Sequence, residues 1–259
     1  MLELAEAIDV RRSVRDFEER QLTVSDQEKV RLLIDQLKPL SEDCPISFHF
    51  LDNGKNVQAK FHGLLDHYFK VKAPAYVVIT GEKKPHYLEN AGYMGEELVL
   101  RLTQMNIGTC WVGSIGEASI PKDFILAQGH EFIITIALGY CEESFNTEPL
   151  RKGRKPHNEF VMGDYEPELL TIFKAIEKAP SAMNSQPWVL LSESEHIHFY
   201  MRNTNIFTKK VLKNFNYIDM GIAMKHFEVE MHELRKEFFW QDLGQEPYQG
   251  HSYIYSASF

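Results

Sequence analysis

Polar side chains in the loop Pro180–Trp188 are spaced so that they could bind a ligand. Pro180 and Pro187 stiffen this proline loop, because proline fixes φ and removes an N–H donor. Asn184 and Gln186 each offer two donors and one acceptor, so together they could read the edge of a flat heterocycle. The proline loop therefore predicts one wall of a ligand site.

A cluster of basic residues near the start of the chain could bind an anion. This arginine segment reads Arg11-Arg12-Ser13-Val14-Arg15, and its planar guanidinium groups suit bidentate contacts with phosphate. A second basic cluster, Arg151–Lys155, contains Arg154 and Lys155. Taken alone, each cluster is better explained by a solvated surface patch. Two such clusters in an acidic chain favour a shared anion.

Other residue types that bind metals or act as nucleophiles form no complete pattern. His196 and His198 share one face of an expected strand, but no carboxylate or cysteine follows at ligand spacing, so no metal site is predicted. The three cysteines are widely spaced and predict reduced structural thiols. The sequence contains neither an HExxH motif nor a Gly-x-Ser-x-Gly elbow.

The composition limits the classes of partner. Hydrophobic residues make up 44% and charged residues 25% of the 259 residues, as in ordinary globular proteins. A formal net charge of −9 argues against nucleic acid or a membrane surface as partner. No apolar run approaches the length of a transmembrane helix, and the acidic start lacks the basic residues of a signal peptide. A cytoplasmic location is expected.

Hydrophobic periodicity predicts helices alternating with short strands. Strands are expected at 48–51, 75–80, 132–140, 188–191, 197–200 and 252–258. Ser25–Glu28 fits a helix capping box, one long helix is expected to end before Gly108, and another is expected near 218–237. The glycine-rich stretch Gly108–Gly116 predicts a turn in which the backbone can approach a ligand closely.

The order of these elements resembles a degenerate internal repeat. Three residues recur 129 positions later: Asn90, Gly92 and Trp111 match Asp219, Gly221 and Trp240. Pro39–Pro45 precedes a strand much as the proline loop does. Each half therefore predicts a helix, a loop with prolines, a strand, a long helix and a strand, and two such halves could pack about a pseudo-two-fold axis. Coincidence within an ordinary α/β chain remains the alternative.

Together these motifs resemble the nitroreductase family of FMN-dependent oxidoreductases. The family's signatures are an Arg-(Arg/His)-Ser-x-Arg segment, a Pro-Ser-x-x-Asn-x-Gln-Pro-Trp loop, a glycine-rich turn after a long helix, and a Leu-Gly-Tyr strand end followed by Arg-Lys. This chain carries them at Arg11–Arg15, Pro180–Trp188, Gly108–Gly116, and Leu138–Tyr140 with Arg154 and Lys155. The resemblance implies an α+β fold with mainly antiparallel sheets, flanking helices and an internal pseudo-two-fold duplication.

One departure from the family concerns the position of the proline loop. In ordinary members this loop follows soon after the arginine segment, but here that place holds Pro39–Pro45, which lacks the Asn, Gln and Trp. The chain therefore resembles a subgroup in which two half-units are fused into one intertwined globular unit. Residues 1–165 would bind the FMN phosphate and supply the glycine-rich turn, and residues 166–259 would supply the proline loop. One FMN per chain is implied, with a monomer competent and a weak homodimer left open.

The resemblance also implies which residues bind FMN. The phosphate would contact Arg11, Arg12, Ser13, Arg15, Arg154 and Lys155. The ring would lie between Val112, Gly113 and Ser114 on one side and Pro180, Ser181, Asn184 and Gln186 on the other. No catalytic side chain and no metal are predicted.

The implied activity is ping-pong transfer of hydride from NADH or NADPH, through FMN, to a nitroaromatic, quinone or similar electron-poor acceptor. The alternative is a flavin-binding protein without turnover, such as an FMN carrier or redox sensor. A scaffold that binds no flavin is the third hypothesis.

Overall fold

The computed structural model describes residues 2–61, 71–121, 124–142, 153–203 and 206–259. The chain divides into two compact units. The first contains Met1–Ala91 and Glu97–Glu148, and the second contains Gly92–Glu96 and Pro149–Phe259. Residues 153–165, which the sequence places in the first half, thus belong to the second compact unit. Strand pairing between Val161–Met162 and the residues after Trp188 accounts for this assignment.

The first unit contains a four-stranded antiparallel sheet. Its described helices are α1 (Leu4–Val10), α2 (Val24–Gln36) and α3 (Gly54–Gln58), together with most of α4 (Tyr87–Gln104). Its strands are β1 (Ile46–Leu51), β2 (Ala75–Glu82), β3 (Gly108–Val112) and β4 (His130–Gly139), in the spatial order β1-β2-β4-β3. The apolar run of β2 is buried on both faces, with the adjacent residues Tyr76 and Val77 fully buried.

Two local expectations in the first unit are wrong. Helix α2 begins after Thr23, whose Oγ1 accepts the N–H of Asp26 at 3.2 Å, so Thr23 and not Ser25 caps the helix. Residues 108–112 form the edge strand β3, which pairs with β4, rather than the start of a turn. Gly108 is required there because a Cβ would lie 2.9 Å from Cγ2 of Val14.

The second unit contains a five-stranded sheet. Its strands are β5 (Val161–Met162), β6 (Trp188–Ser192), β7 (His196–Met201), β8 (Phe239–Gln241) and β9 (Ser252–Ser258), in the order β5-β6-β7-β9-β8. Only the β5–β6 pairing is parallel. The unit's helices are α5 (Leu170–Lys178) and α6 (Ile206–Glu233). Helix α6 therefore begins about three turns before the expected 218–237, and 204–205 lie outside the described residues.

Aromatic rings and one close backbone contact organise the core of the second unit. The rings of Phe199 and Phe227 meet edge to face with centroids 5.5 Å apart. A Cβ at Gly92 would lie 2.0 Å from the carbonyl oxygen of Ile218, so only glycine allows this approach between α4 and α6. Nearby, the fully buried His226 and Glu96 are joined through Nε2 and Oε1 at 3.0 Å.

The two units share one order of strands and long helix, which is what an internal duplication predicts. In the first unit, α4 connects β2 to β3 along the chain, and the spatial order of the strands is β1-β2-β4-β3. In the second unit, α6 connects β7 to β8 along the chain, and four strands have the equivalent spatial order β6-β7-β9-β8. Asn106 after α4 and Arg235 after α6 both have positive φ, 56° and 53°, and are separated by the same 129 positions. The α+β class with mainly antiparallel sheets is confirmed, and the pseudo-two-fold axis stays a prediction.

Within the described parts of the chain, no helix combines the length and the apolar composition that crossing a bilayer requires.

Candidate functional site

The backbone of the proline loop adopts an unusual conformation. Met183, Asn184 and Gln186 have positive φ values of 51°, 56° and 47°. Non-glycine residues enter this left-handed region at a cost of about 1–3 kcal/mol each, and persist there only when surrounding contacts hold them. Met183 and Asn184 are exposed, with Met183 84% accessible. The loop therefore presents a strained and accessible tip.

Gln186 provides part of what holds this loop. Its side chain is only 1% exposed, and its Oε1 accepts the backbone N–H of Lys155 at 2.7 Å. Its Nε2 donates to the carbonyl oxygens of Gly153 at 3.0 Å and Asn184 at 3.2 Å. Its own backbone N–H donates to Ser181 Oγ at 3.0 Å. The Gln186 amide is thus engaged inside the unit, whereas the sequence expects it to read a heterocycle.

The basic residues at 154 and 155 are tied to the same loop. Nη1 of Arg154 donates to the carbonyl oxygen of Ala179 at 2.6 Å. Nζ of Lys155 donates to the carbonyl oxygens of Ser185 at 3.1 Å and Gln186 at 3.3 Å. Burial and the nearby Arg202 guanidinium lower the pKa of the Lys155 ammonium. The structure therefore brings this basic pair and the proline loop together within the second unit, and their contact with a cofactor stays a prediction.

Asn184 is the amide at the exposed tip. Its Nδ2 donates to the carbonyl oxygen of Gly153 at 2.9 Å, so Gly153 accepts from both amides of the loop. Gly153 has a φ of 84°, a conformation that favours glycine. Because Asn184 is exposed and Gln186 is buried, Asn184 is the better placed of the two to meet a ligand from solvent.

A buried carboxyl lies beneath the loop. Both oxygens of Asp219, on α6, lie 3.1 Å from the backbone nitrogen of Ala182, and Ser185 Oγ donates to Oδ2 at 3.4 Å. Burial raises the pKa of Asp219 well above its usual range, opposed by the hydrogen bonds from Ala182 and Ser185 and by the charge of Arg154. Asp219 enters the sequence analysis only as the repeat partner of Asn90.

In the first unit the arginine segment runs beside the edge strand β3. Ser13 forms a parallel bridge with Thr109, and the backbone N–H of Val14 donates to the carbonyl oxygen of Thr109 at 2.8 Å. Arg11 is 7% exposed, whereas Arg15 is exposed and its Nη1 donates to the carbonyl oxygen of Ser13 at 3.3 Å. Backbone pairing thus fixes a segment carrying several cationic groups along the strand that leads to the glycine-rich turn.

The turn residues follow β3 directly. Val112 is the last residue of the strand and is buried, while Gly113 and Ser114 are exposed. The first unit therefore carries two groups of predicted site residues on neighbouring backbone segments, and the second unit carries Arg154, Lys155 and the proline loop. Their assignment to one cofactor stays a prediction.

Other polar or concave places do not coincide with these residues. His196 and His198 have ring centroids 5.4 Å apart, and each Nδ1 pairs with a serine hydroxyl, on Ser258 and Ser256 respectively. Among the described residues, no group of three or more His, Cys, Asp or Glu is arranged to bind a metal. A cavity of about 670 Å³ in the second unit is lined by residues that include His232, Arg235, Phe238, Phe239 and Phe259, and by none of the predicted site residues.

Comparison with known proteins gives one family match and several similar folds. The family model described as "Putative TM nitroreductase" matches residues 3–231. A crystal structure of a "putative nitroreductase" from Thermotoga maritima aligns with 99% of this chain and 93% of its own at TM-score 0.66 and 22% identity, which shows a shared fold. None of the curated proteins matches.

Two further solved structures align with a smaller share of the chain. One is a nitroreductase with bound FMN from Bacteroides fragilis, with TM-score 0.47 and 17% identity over 59% of this chain and 97% of its own. The other is a "Putative NADH Oxidase" from Clostridium acetobutylicum, with TM-score 0.48 and 20% identity over 61% of this chain and 99% of its own.

Proposed function

The chain belongs to the nitroreductase family, and from that premise we propose that it is an FMN-dependent NAD(P)H oxidoreductase acting on nitroaromatics, quinones or similar electron-poor acceptors. The observation that carries the proposal is the extent of the family match. Residues 3–231 include both the arginine segment near the start and the proline loop in the second half. The two motifs that would bind the cofactor therefore both lie in the segment that matches the family model.

The arginine segment suits the phosphate of FMN. Guanidinium groups and a hydroxyl offer charge-assisted and neutral donors, which match the acceptor oxygens of a dianionic phosphate. Backbone pairing of Ser13 with Thr109 orders the main chain of this segment, so little backbone freedom would be lost on binding. We assign phosphate binding to Arg11, Arg12, Ser13 and Arg15.

The basic pair at 154 and 155 has a modified role in this proposal. Nη1 of Arg154 and Nζ of Lys155 donate to carbonyl oxygens of the loop region, so both side chains fix the loop as well as contributing positive charge. That charge would attract the phosphate, but the shortest contacts of both residues are internal. We therefore give them a supporting part in phosphate binding.

The residues Gly113 and Ser114 and the proline loop suit contact with the flat isoalloxazine ring of FMN. Gly113 and Ser114 are exposed directly after β3, and glycine allows a ring to approach the backbone closely. The proline loop presents Asn184 from its exposed tip, while Gln186 and Ser181 hold that tip in shape. We propose that Asn184 contacts the ring and that Gln186 acts as a positioning residue.

When bound, FMN would supply the redox chemistry by accepting hydride from NADH or NADPH and passing two electrons to the acceptor. The side chains of this chain would bind and orient the cofactor and leave one face open to both substrates in turn. These two transfer steps require no acid or base from the protein, so we assign no catalytic side chain. One FMN per chain follows from the single intact arginine segment and the single intact proline loop.

The visible spectrum of the purified protein, with the flavin-to-protein ratio, tests the proposal first. A yellow protein with about one FMN per chain is expected after reconstitution with FMN and gel filtration. Steady-state oxidation of NADH and NADPH, with menadione or a nitroaromatic as acceptor, then tests turnover. Parallel initial-rate lines at several acceptor concentrations would support a ping-pong sequence.

The competing hypotheses give different results in these measurements. A yellow protein that oxidises neither nicotinamide would favour an FMN carrier or redox sensor. A colourless protein that takes up no FMN would contradict both flavin hypotheses. The cytoplasmic location, and the competence of the monomer with a weak homodimer left open, stay predictions that fractionation and analytical ultracentrifugation can test.

A further inference from the structure

In each unit, one buried side chain on a long helix forms hydrogen bonds to the proline-bearing loop of that unit: Asn90 on α4 and Asp219 on α6. In the first unit, Oδ1 of Asn90 accepts the N–H of Leu40 at 2.7 Å. Its Nδ2 donates to the carbonyl oxygens of Ser41 at 3.1 Å and Cys44 at 2.9 Å. Asn90 is fully buried, so these bonds fix the Pro39–Pro45 loop from the inside.

Asp219 lies 129 positions after Asn90, at the repeat position, and also forms hydrogen bonds to the proline loop of its own unit. Its oxygens accept the N–H of Ala182, and Ser185 Oγ donates to Oδ2. Ala182 and Ser185 flank the two exposed residues with positive φ, Met183 and Asn184. The carboxyl therefore binds both ends of the strained tip.

We propose that Asp219 is the positioning residue that holds Met183 and Asn184 in their left-handed conformation and so presents the proline loop to the flavin. This inference rests on the proposed function for its ligand. Its structural part rests only on contacts within the second unit. Strain at the tip requires an external restraint, and the contacts of Asp219 with Ala182 and Ser185 provide it.

The chemistry of the carboxyl suits this place better than an amide. A carboxylate only accepts hydrogen bonds, and the loop offers it the Ala182 N–H and the Ser185 hydroxyl as donors. Burial disfavours the ionised carboxyl, whereas the facing guanidinium of Arg154 favours it. Ser185 Oγ also lies 3.5 Å from Oδ1 of Asn216. An asparagine at 219 would keep one acceptor for Ala182, while the Ser185 hydroxyl could turn and accept.

These differences allow a series of variants with a matched control in the same chain. Asp219→Ala removes both contacts that the Asp219 side chain makes with the loop, to Ala182 and to Ser185. Asp219→Asn keeps an acceptor for the Ala182 N–H. Asn90→Ala removes the corresponding restraint in the first unit. Hydrogen–deuterium exchange of the FMN-free protein, measured for peptides covering 39–45 and 180–187, reports loop order without flavin. Titration with FMN, followed by flavin fluorescence, reports affinity.

Asp219→Ala should raise the exchange rates in 180–187 by about tenfold or more and leave 39–45 unchanged, since it deletes buried hydrogen bonds of the loop. Asn90→Ala should do the reverse. The FMN dissociation constant should rise by about tenfold in Asp219→Ala and by less than about threefold in Asp219→Asn. If Asp219→Ala does not fold, the Asp219→Asn protein carries the comparison, with exchange at 180–187 close to wild type.

Unchanged exchange at 180–187 in Asp219→Ala, or faster exchange with unchanged FMN affinity, would overturn the positioning role. Failure of the proposed function looks different: the wild-type protein would bind no FMN, although the exchange pattern of the variants would still follow the Asp219 contacts. That combination would reject the flavin as ligand and keep the restraint on the loop.

Discussion

The side-chain oxygen of Gln186 accepts the backbone N–H of Lys155 at 2.7 Å, and this bond joins two segments that are 31 residues apart. The same amide donates to Gly153 and Asn184. The basic pair and the proline loop are therefore held as one structure within the second unit. Gln186 shapes the loop from inside, and Asn184 is exposed at its tip.

Replacement of Gln186 by alanine should destabilise the protein and disorder the loop. The change leaves the N–H of Lys155 without its acceptor in a part-buried place, at a cost of about 1–3 kcal/mol in the free energy of unfolding. Asn184→Ala is the matched control, because it removes an amide bonded to the same carbonyl from an exposed position. Its cost should stay at about 1 kcal/mol, part of which arises because alanine tolerates the φ of 56° less well than asparagine does. Urea unfolding measures both, and equal costs would contradict the positioning role of Gln186.

Simultaneous replacement of Arg11 and Arg15 by alanine should yield a protein largely free of FMN. Each charge-assisted contact with phosphate contributes about 1.5–3 kcal/mol, so losing two would lower affinity by several orders of magnitude. The flavin-to-protein ratio after gel filtration measures the effect.

Arg20→Ala provides the control for the arginine variants, since Arg20 is exposed and lies over the Tyr140 ring at 3.8 Å. Arg15→Ala alone provides the second comparison, because Arg15 is exposed whereas Arg11 is 7% exposed and contributes to packing. Wild-type flavin content in the folded double variant would refute phosphate binding by this segment.

The buried pair of His226 and Glu96 should contribute strongly to stability. Nδ1 of His226 lies 2.9 Å from the carbonyl oxygen of Ala175, which can only accept, so Nδ1 carries a proton and Nε2 faces Glu96. Removing the imidazole in His226→Ala should cost about 3–5 kcal/mol, since it leaves a buried carboxyl without this partner.

Glu96→Gln should be much milder than His226→Ala. A glutamine amide can donate to the neutral Nε2 and keep the contact with no buried charge at this position. Thermal and urea unfolding of both variants measure the difference, and a Glu96→Gln protein as unstable as His226→Ala would show that the charge itself is required.

Parts of the fold that bury continuous apolar segments are predictable from the sequence. The strand expected at 252–258 is observed at Ser252–Ser258, and that expected at 132–140 is observed as His130–Gly139. Buried strands carry their signal locally, as runs of β-branched and aromatic residues. Strand β5 has only two residues, and its pairing with β6 is non-local, so no local pattern indicates it.

The candidate site shows the same division between local and non-local information. The types of residue in the proline loop and the arginine segment are legible in the sequence. The partners of Gln186 at 153–155 and the role of Asp219 depend on contacts across more than thirty residues. The 129-residue offset between Asn90 and Asp219 is the signal that could have linked the helix to the loop, because it marks equivalent positions. The sequence predicts Gly108 as a turn residue, whereas in the structure the proximity of Val14 explains the glycine.

Two aspartates should give the stability of the protein opposite dependences on pH. Burial raises the pKa of Asp219, so the folded state binds this proton more tightly than the unfolded chain does. Its contribution is complete below about pH 4, the unfolded pKa, and is lost as the pH rises through the folded pKa, with a limiting slope of about 1.4 kcal/mol per pH unit. Asp219→Asn should remove that loss.

Asp26 provides the opposite case. Hydrogen bonds from the Tyr140 hydroxyl, then from Thr23 and Lys29, lower the pKa of its carboxyl against a smaller opposing effect of burial. Its contribution is therefore present above about pH 4 and is lost as the pH falls through the folded pKa. Urea unfolding from pH 3 to 9 should show that Asp26→Asn flattens the acid side of the profile and Asp219→Asn the alkaline side. A profile of Asp219→Asn parallel to wild type above pH 4 would mean that Asp219 titrates like a solvated carboxyl, which its burial argues against.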